Sequence, residues 1–273
     1  MHYKLILEYD GKAFHGSQAQ AAVRGRTVQG ELERALAQVT GQPTRIVLAG
    51  RTDAGVHALG QVASFALDPA VPRAKLQQAL NGVLPGDLKV RAIERATPQF
   101  HARHSATRRD YRYLLWHAPA PAPLLRDRAW HVRAPLDVAA MHAAAQTLLG
   151  HHDFASFCGG GLGVPLAEGD DETARPSTRR TMLAAACYPW PHAGLYHIAP
   201  PPSDPDSRLL AVDLSANAFL PQMVRAIVGS LVMVGQGKWT VAQFAAVLAA
   251  GDRRQAGATA PPHGLCLLHV WYD

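Results

Sequence analysis

At 273 residues, with 48% hydrophobic and 18% charged side chains, the chain is long enough for a sizeable core and too apolar for wholesale disorder. A net charge of +6 and a sequence pI near 9.5 turn the expected partners toward polyanions. Three cysteines without a CxxC spacing argue against a disulfide framework and fit a reducing cytoplasm, and the opening MHYKLILEYDGK lacks the basic and long apolar segments of a signal peptide.

Tyr3, Leu5, Leu7 and Tyr9 alternate against Lys4 and Glu8, which predicts a strand over 3–9 with one buried face. Thr27 caps a predicted helix whose Val28, Leu32, Leu36 and Val39 recur at helical spacing, with Gly41 and Pro43 as its stop. Strand-like runs follow at 44–49 and 62–67, joined by a glycine-rich connection. Pro72 opens a second helix carrying Leu76 and Leu80, which Asn81-Gly82 is expected to close. A strand at 88–94 completes the order β-α-β-β-α-β.

The later half repeats that order without evident sequence identity. A strand at 111–117 leads to a helix capped by Asp137, with Val138, Met141, Ala145 and Leu148 on one face and Gly150 at its end. Residues 158–178, rich in Gly, Pro and acidic side chains, read as a mobile loop. Strand-like stretches follow at 181–188 and 208–214, with a weaker one around 194–198. A helix is predicted from Phe219 to Val234 with Pro221 in its first turn. Its apolar run, Ile227 to Val234, is too short to cross a bilayer, so no membrane partner is expected. A shorter helix from Thr240 to Ala250 and a strand from Leu265 to Trp271 complete the set. The fold class is thus α+β: two tandem ferredoxin-like or RRM-like halves, 1–105 and 106–273, with antiparallel sheets backed by helices and a cleft where they meet.

Gly11-Lys12 and Gly237-Lys238 lack the upstream glycine and the Ser or Thr of a phosphate loop, and the glycines at 159–161 do not open a helix, so no nucleotide cofactor is expected. His101 with His104, and His151-His152-Asp153, have no accompanying Cys pair or H-E-x-x-H, and read as surface or partner-binding residues rather than metal ligands. No G-x-S-x-G elbow marks a serine nucleophile. The basic stretch says more. His101, Arg103, His104, Arg108, Arg109 and Arg112 are interleaved with Phe100, Tyr111 and Tyr113. As a linker this stretch would simply be solvated; as a nucleic-acid surface it would track phosphates and lead to rings on which a base stacks. The positive balance favours the second reading, and Arg24, Arg26, Arg45 and Arg51 extend it.

Residues 49–61, AGRTDAGVHALGQ, admit two readings. In a tight connection Asp53 makes an Asx-turn and Gly55 supplies a positive φ. That leaves Arg51, Thr52 and His57 unexplained. An Arg beside an Asp keeps the carboxylate ionised and restrained, as a nucleophile or general base requires.

Gly50-Arg51-Thr52-Asp53-Ala54-Gly55-Val56-His57-Ala58, followed by Gly60-Gln61-Val62, resembles the active-site signature of the TruA family of tRNA pseudouridine synthases. Tyr9-Asp10-Gly11 with Phe14 and Gly16, Thr27-Val28-Gln29, Leu80-Asn81 with Leu84-Pro85 and Phe100-His101-Ala102-Arg103 are similar to further elements of that family. So are Tyr111-Arg112-Tyr113 and Ala216-Asn217-Ala218-Phe219-Leu220 with Met223-Val224-Arg225, all in the same order. The chain departs at Ser17, where the family usually has Trp, at Pro221-Gln222, and in a longer loop at 159–171.

The resemblance implies an enzyme that isomerises uridine to pseudouridine in the anticodon stem-loop of tRNAs, usually at tRNA positions 38, 39 and 40. It implies a cytoplasmic homodimer that needs no cofactor or metal, and no DNA partner is expected. Asp53 would be the essential carboxylate, either a nucleophile or the base that starts a glycal route. Arg225 would pair with it across the cleft, Tyr111 would stack on the uracil and help remove the C5 proton, and Arg51 would help extrude the nucleotide. His57, Arg103, Arg108, Arg109, Arg112, Arg24 and Arg26 are expected to bind the tRNA. Two other readings compete. A non-catalytic RNA-binding protein with tandem ferredoxin-like domains leaves Asp53 without a purpose, because a carboxylate repels phosphate. A metal-dependent nuclease would use His151, His152 and Asp153.

Overall fold

The computed structural model describes residues 1–19, 25–159, 177–190 and 208–273. Arg24, the weak strand expected at 194–198 and nearly all of the loop at 159–171 lie outside the described residues. The first-half elements are β1 (His2–Tyr9), α1 (Val28–Thr40), β2 (Val47–Leu48), β3 (His57–Ala66), α2 (Arg73–Val83) and β4 (Leu88–Ala96). They are followed by β5 (Ala106–His117), β6 (Trp130–Val132), α3 (Val138–Gln146), β7 (Gly150–Asp153), β8 (Arg179–Pro189), β9 (Arg208–Ala216), α4 (Met223–Gly235), α5 (Val241–Ala250) and β10 (Leu265–Tyr272). The protein is a mixed α+β chain with mostly antiparallel strand pairing. It divides into unit 1, Met1–Arg109 with Cys266–Asp273, and unit 2, Asp110–Leu265.

In unit 1 the strand order is β4-β1-β3, with β1 antiparallel to both neighbours. The far side of β3 carries β2 antiparallel at one end and β10 parallel at the other, where Cys266 faces His57 and Leu267 faces Ala58. The last strand, which its place in the chain assigns to the later half, therefore belongs to unit 1. Tyr3, Leu5, Leu7 and Tyr9 of β1 are buried, as the alternation predicts, together with Val28, Leu32 and Leu36 of α1 and Leu76 and Leu80 of α2. Each buried leucine contributes about 1.5–3 kcal/mol. Thr27 caps α1 by accepting the Gly30 N–H, and Gly41 ends it in the left-handed region at φ 73.

Asn81-Gly82 does not close α2 but sits inside its last turn. The Asn81 amide is engaged elsewhere: its Nδ2 donates to Val90 O at 2.8 Å, and its Oδ1 accepts the Val90 N–H at 2.8 Å. The helix instead stops where Pro85 holds Leu84 extended.

In unit 2 the strands run β5-β9-β8-β7, with β6 parallel to β5. β8 is antiparallel to β7 and β9. Helix α4 is buried along almost its whole length, and a Cβ on Gly229 would collide with the Ala258 carbonyl. It begins at Met223 rather than Phe219, because Pro221 lies in the preceding turn and Gln222 adopts φ 59. Phe157 stacks on Phe244 of α5, with ring centroids 5.8 Å apart. Among the described residues no helix is long and apolar enough to cross a membrane.

Candidate active site

The loop from Gly50 to His57 is held in unit 1 by neighbours far away in sequence. Gln61 Nε2 donates to Gly50 O at 2.9 Å. The Ser17 N–H donates to Thr52 O at 3.0 Å, and the Thr52 N–H donates to Ser17 Oγ at 2.8 Å. The Tyr9 hydroxyl shares a 2.8 Å hydrogen bond with Thr52 Oγ1. Burial pushes the Tyr9 pKa up to about 12, so it stays a neutral hydroxyl. Gly55, at φ 81, donates its N–H to Phe14 O, and the Asp53 carbonyl accepts the Val56 N–H at 3.2 Å. The backbone thus closes the turn in which glycine was expected to supply the positive φ. Asp53 itself is partly exposed, between a buried Thr52 and an exposed Ala54.

His57, expected among the tRNA-binding residues, is buried at the end of this loop. Its Nδ1 accepts the Gly11 N–H at 3.0 Å and lies 3.1 Å from Asp10 Oδ1. The two partners make opposite demands on Nδ1: an unprotonated Nδ1 accepts from Gly11, whereas a protonated one would donate to the Asp10 carboxylate. Gly11 is required here, since a Cβ would collide with the Val56 carbonyl.

The arginines that look alike in sequence separate into two kinds. Arg26 is bidentate to Asp87 at 2.6 and 2.8 Å, pairs with Glu31 at 3.0 Å and lies over the Phe14 ring. Its pKa is raised, chiefly by Asp87. Arg112 is bidentate to Asp213 at 2.7 Å and covers the Trp190 ring, 3.7 Å from its centroid. Both guanidiniums are committed to carboxylates. Arg109 is buried and donates to the carbonyls of Ala49, Arg103 and Ala106. Arg108 lies over the Trp271 ring at 4.5 Å. Arg51 is exposed and Arg103 partly so. Burial first, and then the like charge of Arg103, lowers the Arg51 pKa.

In unit 2 Tyr111 is buried on β5 and meets Phe219 edge to face, with centroids 5.0 Å apart. Arg225 lies in the first turn of α4, where its Nε donates to Ala260 O at 2.7 Å and its carbonyl accepts the Ala260 N–H at 3.1 Å. Its side chain is thereby fixed along one edge. The His151-His152-Asp153 run forms β7, so its side chains alternate in direction. His152 Nε2 is 2.7 Å from Leu149 O, and Asp153 Oδ1 accepts from Thr178 Oγ1 at 2.6 Å. Among the described residues no group of three or more His, Cys, Asp or Glu side chains is placed to hold a metal ion.

Sequence reasoning identified the Asp53 loop and missed what holds it. Ser17, Tyr9 and Gln61 are buried polar side chains. Their only sequence signal is polarity at positions where a strand or turn faces the core.

A family model described as tRNA pseudouridine synthase matches residues 5–105 and 144–273. A Chloroflexus aurantiacus protein named tRNA pseudouridine synthase A is 47% identical over 268 residues, covering 98% of this chain and 87% of that protein. A protein of the same name from a Roseiflexus species is 45% identical, covering 98% and 89%. One from Moorella thermoacetica is 40% identical over 98% of both chains.

Proposed function

The chain belongs to the tRNA pseudouridine synthases, isomerases that convert uridine to pseudouridine in tRNA, and from that premise we propose that it acts on the anticodon stem-loop, at tRNA positions 38, 39 and 40. We further propose that it works as a homodimer in the cytoplasm. The reaction breaks the C1′–N1 bond, turns the freed uracil, joins C5 to C1′ and releases the C5 proton. Nothing is oxidised or reduced.

Asp53 is the carboxylate that starts the reaction. Tyr111 stacks on the uracil and helps remove the C5 proton, and Arg225 is the guanidinium that partners the carboxylate. Arg51 assists extrusion of the nucleotide, which costs a few kcal/mol of pairing and stacking. The net charge of +6 supports the phosphate contacts that offset this. The proposed division of labour gives residues 1–105 the carboxylate and residues 106–273 the tyrosine and second arginine. The chain order of unit 1, β-α-β-β-α-β with β4-β1-β3-β2 side by side, supports a ferredoxin-like first half.

One observation carries the catalytic reading. Hydrogen bonds fix Gly50, Thr52, Gly55 and His57, while Asp53 keeps part of its surface open. A connecting turn needs no such anchoring. Unmodified tRNA transcripts incubated with the protein and EDTA, then mapped for pseudouridine by position, test the proposal. Product at 38, 39 or 40 is expected. No product anywhere removes the enzyme reading, and product elsewhere removes only the site.

A further inference from the structure

Arg109 has the sequence context of an RNA contact, yet it is only 9% exposed and faces protein carbonyls. One nitrogen, Nη2, donates to Ala49 O at 3.1 Å and to Arg103 O at 2.7 Å, while Nη1 donates to Ala106 O at 3.0 Å. A single guanidinium therefore ties the backbone entering the Asp53 loop, two residues before Arg51, to the backbone of Arg103. The turn that carries Arg103 is pinned from other sides too. The Ser105 N–H donates to His101 O at 2.9 Å, the Ala102 N–H donates to Ser64 Oγ at 3.1 Å, and the Tyr272 hydroxyl donates to Ala102 O at 2.8 Å.

The two arginines on the backbones tied this way carry like charge, and after burial it is the charge of Arg103 that lowers the Arg51 pKa. Among the described residues neither the Arg51 nor the Arg103 guanidinium is paired with a carboxylate, in contrast to Arg26 and Arg112. Both reach solvent. Holding two such cations close is unfavourable until an anion comes between them, and a phosphate accepts charge-assisted hydrogen bonds from both.

We infer that Arg51 and Arg103 together form one site for an RNA backbone phosphate, and that Arg109 is the positioning residue that sets their separation. The inference rests on the proposed function, since the tRNA supplies the phosphate. A phosphate held here lies next to the nucleotide that Arg51 helps to extrude. Arg109 acts through its fork: a lysine at the same place is a point charge and cannot span the two carbonyls in the same geometry.

The test compares tRNA affinity, and its salt dependence, among Arg51→Gln, Arg103→Gln, the double variant and each of these with Arg109→Lys. For a shared phosphate, each single variant lowers the slope of log K against log salt by clearly less than about one, and the double variant lowers it by about one in all. Separate phosphates would lower it by about two in the double variant and overturn the shared site. Arg109→Lys is expected to weaken tRNA binding by about 10-fold in the wild-type background and by less than about twofold in the double variant. An equal loss in both backgrounds overturns the positioning role. Thermal unfolding of each variant checks that it is folded, and the salt slopes of the Arg51 and Arg103 variants stand whether or not Arg109→Lys folds. Wild-type protein that forms no pseudouridine would remove the functional reading itself; an active wild type with additive variants removes only this inference.

Discussion

Ser17 and Thr52 are joined by two hydrogen bonds, the Ser17 N–H to Thr52 O at 3.0 Å and the Thr52 N–H to Ser17 Oγ at 2.8 Å. Both residues are buried, so neither bond has water as a ready substitute. Ser17→Ala leaves the Thr52 N–H without its acceptor and is expected to lower stability by about 1–2 kcal/mol. Because Thr52 precedes Asp53, kcat should fall while tRNA affinity changes little. Urea unfolding with single-turnover assays checks this, and an unchanged kcat would show that the loop is fixed without the pair.

Gly11→Ala should be more damaging. The new Cβ would collide with the Val56 carbonyl, and neither side of that contact is a side chain able to move away. The Gly11 N–H would also be shifted from His57 Nδ1. A loss of activity of at least about 10-fold is expected together with a lower Tm. Assay and thermal melt, run side by side, measure both; a variant with wild-type values would contradict the close approach of Gly11 to Val56.

Asp53→Asn keeps the size of the side chain and removes its charge. It should bind tRNA and form no pseudouridine. Arg225→Lys should lose at least about 10-fold in turnover, because a point charge cannot replace a fork whose Nε is already committed to Ala260 O. Positional mapping of pseudouridine after single turnover reads both variants. Normal product from Asp53→Asn would remove Asp53 from the mechanism.

Stability should fall at alkaline pH. Burial raises Tyr9 from 10.0 to about 12 and Cys187 from 9.0 to about 12, and it raises Tyr113 as well. In the unfolded chain these groups lose their protons near the ordinary values, while the folded protein retains them. Between about pH 9 and 12 the unfolded state therefore binds fewer protons, and the free energy of unfolding decreases as pH rises. Urea midpoints from about pH 8 to 11 should decline, and Tyr9→Phe should flatten the part of the decline above about pH 10. A midpoint that holds steady across this range would rule the linkage out.

The sequence made local features legible and hid the distant ones. Alternation on β1 and the caps Thr27, Asp137 and Thr240 are local signals, and each cap accepts the backbone N–H three residues on. Asn81-Gly82 misled for a tertiary reason, since the Asn81 amide bonds the backbone of β4 instead of ending its own helix. The short strands β6 and β7 have too few residues to show an alternation. At the candidate site the Asp-Gly turn could be read directly. Its supports could not, because Ser17 and Thr52, or Tyr9 and Gln61, meet only once the strands pair. The arginines were indistinguishable by sequence. Asp87, Glu31 and Asp213 decide which of them keep their charge for an outside partner.

The parallel pairing of β10 with β3 has a consequence for the order of assembly. Unit 2 is one continuous stretch, Asp110–Leu265, and every residue it needs has been synthesised before Cys266. Unit 1 is discontinuous: its first 109 residues emerge early, yet one neighbour of the strand that follows the Asp53 loop arrives only with Cys266–Asp273. During translation the His57 end of β3 therefore presents an unpaired edge until the final segment is made. The hydrogen bonds that hold the Gly50–His57 loop come from residues 9–61 and can form early, but the pairing that covers the His57 end of β3 is completed late, after the rest of unit 1 has had time to fold.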